Sequence, residues 1–163
     1  SPLDESSVAG HVPPVLGTGL AELDDIVTWL VQRIVEIDRF TKPLPSVAIL
    51  VNDEVDVGPL ADALKAGLAD ENLNVVACYK GQFAGQENDI RVFDVQHIKG
   101  LEFEAVFFVG VDTLAAMKPS LFDKYLYVGA TRAATYLGLT CMGPTLPHKI
   151  EPLRDSFAAD WKS

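Results

Sequence analysis

Basic residues are scarce in this chain. Lys and Arg number 13 against 23 Asp and Glu in 163 residues, a formal net charge of −10. Affinity for nucleic acid rests mainly on cations that neutralise phosphates. The chain alone is therefore expected to bind DNA or RNA poorly, any contribution being local, through backbone amides and a few polar side chains. Cysteine is scarcer still. Cys78 and Cys141 stand far apart, which excludes a disulfide framework or a cysteine-based zinc site and leaves two buried core thiols. A reduced, cytoplasmic setting is the matching expectation. His11, His97 and His148 are scattered, and no metal is expected. No apolar run approaches the length that spans a bilayer, and no leader of basic, apolar and then small residues opens the chain. A phosphate loop is missing too. Gly17-Thr18-Gly19 lacks the Gly-Lys-Ser/Thr ending that supplies a phosphate lysine and a magnesium hydroxyl. There is no internal repeat. The chain opens Ser1-Pro2 without methionine, as expected of a piece of a longer protein or a processed product.

What is present reads as one globular domain. Hydrophobic residues make up 48% and charged residues 22%, an ordinary balance that argues against disorder, and the length suffices for a proper core. Residues 1–19, with prolines and glycines interspersed, read as a linker or loose lead-in; residues 20–163 form the domain. Leu20, Leu23, Val27, Leu30, Ile34 and Ile37 recur at helical spacing and predict a helix from Leu20 to Phe40, with Thr18 as N-cap. Val47 to Val51 reads as a strand. Pro59 opens a helix carrying Leu60, Ala61, Leu64 and Leu68, and Leu73 to Cys78 is a second strand. Strand, helix and strand in this order suggest parallel pairing through a crossover.

The organising stretch is Ile90 to Gly110. Two runs rich in Val, Ile and Phe flank a polar insert, Gln96 to Glu102, that holds Gly100. Such runs suit strands buried in a parallel sheet, and the insert would lie at a strand's carboxyl end, where open α/β sheets gather ligands. A plainer reading is also open: Lys99-Gly100 as a turn and Glu102 as a solvated charge. Val111 to Lys118 has no assignable conformation. Pro119 to Ala133 predicts a buried helix, Tyr136 to Met142 a last strand, and Pro152 to Trp161 a closing helix with Leu153, Phe157 and Trp161 inward. Trp29 and Trp161 read as core or interface anchors.

Lys99-Gly100-Leu101-Glu102-Phe103 ahead of an apolar strand, followed in order by Tyr127-Val128-Gly129-Ala130-Thr131-Arg132-Ala133, resembles two motifs of superfamily 1 helicases of the UvrD/Rep type. The resemblance runs from about Ser46 to Met142. It implies the second, C-terminal RecA-like lobe: a three-layer α/β domain of the P-loop NTPase kind, with a mainly parallel sheet and no phosphate loop of its own. It further implies that Arg132 is an arginine finger, a planar cation suited to a transferring phosphoryl group. Glu102 would accept a hydrogen bond from the ribose. Lys99, Gly100 and Thr131 would complete the nucleotide side, and Gln96 and His97 would touch a single DNA strand. ATP and Mg2+ would be bound only together with the first lobe, which carries the phosphate loop and the magnesium carboxylates. That lobe and single-stranded DNA are the implied partners, no membrane is, and this chain alone is not expected to hydrolyse ATP.

Some positions depart from the family. Asn52 stands nearest to an expected phosphate-binding arginine, and Asp53 and Glu54 follow it. Asp94 replaces a common threonine and Gln96 a common histidine. These departures favour an alternative in which the lobe persists as a regulatory or protein-interaction module without turnover. A free-standing α/β binding domain is a third reading, disfavoured by the ordered pair of motifs.

Overall fold

The computed structural model describes residues 12–98, 103–124 and 134–162. Its apolar runs become six strands: β1 (Val15–Gly17), β2 (Val47–Val51), β3 (Val75–Cys78), β4 (Ile90–Asp94), β5 (Ala105–Phe108) and β6 (Tyr136–Thr140). They pair in the order β1-β6-β5-β2-β4-β3, and every pair is parallel. Parallel neighbours need long connections, supplied here by α1 (Leu23–Phe40), α2 (Val57–Gly67), α3 (Val111–Met117) and α4 (Pro119–Phe122), and between β3 and β4 by a loop without a helix.

Strand side chains alternate between faces, and the sheet separates two cores. Val47, Ile49 and Val51 join Val92 and Phe107 under α1 and α2, with Trp29, Leu30, Ile34, Leu60 and Leu64 as the helical contribution. Ala48 and Leu50 point the other way, into a second core with Phe93, Val106 and Phe108, closed by Val111 and Leu114 of α3 and Phe122 of α4. Both faces are covered, so β2 and β5 carry unbroken apolar sequence. The three-layer architecture expected from the sequence is present, and the sheet is parallel throughout.

Three local expectations need correction, and one segment left unassigned is a helix. α1 begins at Leu23, and the residue capping it is Glu22, without a side-chain cap bond. Thr18 does not cap it because the preceding backbone runs on beside β6: the N–H groups of Gly19 and Leu20 donate to the carbonyls of Gly143 and Cys141. Within the supposed lead-in, Val15–Gly17 is an edge strand paired with β6; residues 1–11 lie outside the described residues. The unassigned connector is α3, entered through Gly110 in the left-handed region at φ 73°. Finally, Pro152 to Trp161 is not one helix. A 3-10 segment spans Glu151–Ser156, and Ala158 then bridges Val15. Leu153 and Phe157 pack on one core while Trp161 enters the other, so the segment wraps the β1 edge. The predicted helix after Pro119 is helical to Phe122; residues 125–133 lie outside the described residues.

Candidate functional site at the carboxyl edge of the sheet

β2 lies between β4 and β5. From β2 the chain builds one half of the sheet through β3 and β4, then crosses back to build the other through β5 and β6. A reversal of this kind leaves a crevice at the strands' carboxyl ends. Three connections meet there: the segment after β2, from Asn52 to Asp56; the one after β4, beginning with the 3-10 turn Val95–His97; and Val109-Gly110 after β5.

The segment after β2 is acidic. Asp53 caps the 3-10 turn Glu54–Asp56 by accepting from the Val55 N–H at 3.3 Å. The carboxyl of Asp56 is held above its ordinary value by partial burial, with the carboxylates of Asp53 and Asp94 adding to the effect. Asn52, nearest to the arginine expected from the family, donates through Nδ2 to the Gly110 carbonyl at 2.9 Å, and its own carbonyl accepts from Lys118 Nζ at 3.2 Å. It therefore ties β2 to β5 and α3. Beside it, a cleft of about 270 Å³ opens between α1, α2 and the ends of β2 and β5, lined by apolar groups apart from Asn52 and Asp56. That lining suits an apolar group better than a triphosphate.

The turn after β4 is built locally. Asp94, buried at the strand end, accepts from the Gln96 N–H at 2.8 Å, an aspartate turn closed two residues on. Gln96 and His97 are consequently presented at the surface. His97 does not stand alone: its Nε2 lies 3.6 Å from Glu54 Oε2. Glu54 Oε1 accepts from the Lys80 N–H at 2.6 Å, which brings the loop after β3 to the same edge.

Lys99, Gly100, Glu102, Thr131 and Arg132 lie outside the described residues, as does Tyr127. The residues bracketing the first motif are described. Ile98 and Phe103 are both buried in the second core, and Phe103 packs on Phe93 and Phe83 at centroid separations of 5.8 and 6.2 Å. Phe83 in turn receives the guanidinium of Arg91 at 4.0 Å over its ring. Arg91 also donates to the carbonyls of Ala84 and Gln86, at 2.8 Å each, and so holds the loop from Gly81 to Asn88 in place. Sequence reasoning passed over Arg91, since a lone arginine in a strand gives no sign of where its donors go. It also missed Glu54 as a neighbour of His97; the spacing of Asp94 and His97, three apart after a strand, was the only local hint.

Comparison with known proteins places this geometry. Residues 89–140, from the start of β4 to the end of β6, match the sequence model of the UvrD-like helicase C-terminal domain. The fold is similar to that in the crystal structure of the C-terminal domain of a possible DNA helicase from Lactobacillus plantarum WCFS1, with a TM-score of 0.67 and 20% identity over 91% of this chain and 85% of that one. No curated protein matches the chain.

Proposed function

Because the chain has the fold of a helicase C-terminal domain and matches the UvrD-like family through its central motifs, we propose that it is the second lobe of an ATP-dependent DNA helicase or translocase. In the full-length protein ATP and Mg2+ are sandwiched between the first lobe and this one. Arg132 reaches the transferring phosphoryl group as an arginine finger, and Glu102 accepts from the ribose. Lys99, Gly100 and Thr131 shape the loops around the nucleotide. Gln96 and His97 meet the single strand. Closing and opening of the cleft during turnover moves the protein along that strand. By itself this lobe is silent, lacking the phosphate loop and magnesium carboxylates that the reaction needs.

The observation that carries this reading is the position of the matched span in the sheet. It contains both motifs in order, and its first strand, β4, lies beside β2 at the reversal of strand order. The test is DNA-stimulated ATP hydrolysis by the full-length protein carrying Arg132→Ala. Loss of a finger lowers kcat by about 10³–10⁵-fold with a much smaller change in KM for ATP. Unchanged turnover would remove Arg132 from the reaction.

One observation favours a second reading, a regulatory or interaction module without turnover. Partial burial and the carboxylates of Asp53 and Asp94 together raise Asp56 at this edge, and a cluster of carboxylates repels phosphate. That reading requires the parent protein to have no Gly-Lys-Ser/Thr loop upstream.

A further inference from the structure

The carboxyl edge holds a cluster of ligating groups that the helicase reading leaves unexplained, although it gives one member, His97, a contact with the single strand. Glu54, Asp94 and His97 come from separate turns after β2 and β4, yet one potential ligand atom from each lies within 4.8 Å of the others. We propose that these three side chains bind one divalent cation of the Zn2+ or Mn2+ class. Three features of the cluster carry the inference.

Spacing is the first. Glu54 Oε2 and His97 Nε2 are 3.6 Å apart, too far for a hydrogen bond. Ligands about 2.0–2.2 Å from a tetrahedral ion stand about 3.4 Å from each other, so this edge of the coordination figure is nearly formed. The second feature is an orphan. Glu54 Oε2 is buried and has no hydrogen-bond partner, a costly condition for a carboxylate oxygen that an ion beside it relieves.

Orientation is the third. Backbone N–H groups hold one oxygen of each carboxylate: Lys80 donates to Glu54 Oε1 at 2.6 Å, and Gln96 donates to Asp94 Oδ1 at 2.8 Å. Outer hydrogen bonds of this kind fix ligating carboxylates in known metal sites. Among the described residues no lysine or arginine side chain pairs with Glu54 or Asp94. The side chains of His97 and Glu54 are 42% and 27% exposed, so an ion can reach the cluster from solvent. An imidazole with two carboxylates selects borderline cations over Mg2+, which prefers oxygen alone. Three protein ligands leave a further position for water.

The test uses the untagged chain, cleared of metal with a chelator, and isothermal titration with ZnCl2 and separately with MnCl2. One ion is expected to bind per chain, with a rise in Tm. His97→Ala and Glu54→Gln are each expected to weaken that binding about tenfold or more, while His148→Ala leaves it unchanged. Asp94 is buried and caps its own turn, so its replacement is avoided; the metal-free melting of the two surface variants shows whether they fold. Absence of uptake, or uptake that survives the double variant, overturns the proposal and leaves an ion pair between His97 and Glu54. The readout involves neither ATP nor DNA, so its outcome is independent of the assignment of Arg132.

Discussion

Cys141, just past β6, and Cys78, the last residue of β3, are free, buried thiols. Burial pushes the Cys141 thiol from 9.0 up to about 12, with the carboxylate of Asp112 adding to the effect, and burial also raises Cys78. The thiolate is the reactive form, so neither side chain should react with iodoacetamide at pH 8 until the chain unfolds; counting modified thiols against urea concentration checks this. The linkage has a definite sign. A raised native pKa means that the folded chain holds its proton longer. The stability contributed by Cys141 is fully present below pH 9 and is lost as pH rises toward about 12. The sequence reading of two core thiols agrees with their burial, since a small apolar-like side chain at the end of an apolar run has few other places to go.

Among the elements, β6 is closely packed at its centre. Gly138 sits between Phe107 of β5 and Trp29 of α1. A Cβ there would meet Phe107 Cδ1 at 2.5 Å and Trp29 Cη2 at 3.1 Å, and these two rings already pack edge to face at 6.0 Å. Gly138→Ala is expected to destabilise the fold by about 1–3 kcal/mol through overpacking, seen as a lower urea midpoint with an unchanged slope. At this scale the sequence was readable where an element signals itself. β2 was predicted residue for residue because five consecutive apolar side chains suit only a strand covered on both faces. α3 was not predicted, being only seven residues long and dependent on Val111 and Leu114 reaching the second core. β1 was missed because three residues next to prolines become a strand only when β6 and Ala158 flank them.

Across the whole molecule, the C-terminal segment is held to α1 by a buried charged clasp. Arg33 and Glu36 pair at 2.8 Å, each side chain 6% exposed. Glu36 Oε1 also accepts from the Trp161 N–H at 2.9 Å, and Arg33 donates to the Ala159 carbonyl at 2.9 Å. The clasp delivers Trp161 into the first core, against Phe107 and Tyr136. Removing one partner of a buried pair leaves the other charge uncompensated. Glu36→Ala is expected to cost about 3–5 kcal/mol and to free Trp161, measured by urea unfolding followed through tryptophan fluorescence. The predicted stripe of α1 contained only its apolar members. Arg33 and Glu36 lie outside that stripe and are buried where the returning chain covers them.

The sequence by itself determined the unbroken apolar runs that become strands covered on both faces, the turn after β4, and a following motif that resembles one of the UvrD-like helicases. Each of these is encoded within a few consecutive residues, through side-chain period, apolar content or a short fingerprint. Only the tertiary structure decided that β2 lies between β4 and β5, that the C-terminus wraps the β1 edge, and that Glu54 faces His97. Those outcomes depend on strand order and on contacts between residues far apart in the chain, and no local pattern carries information about which distant partner will satisfy a buried charge.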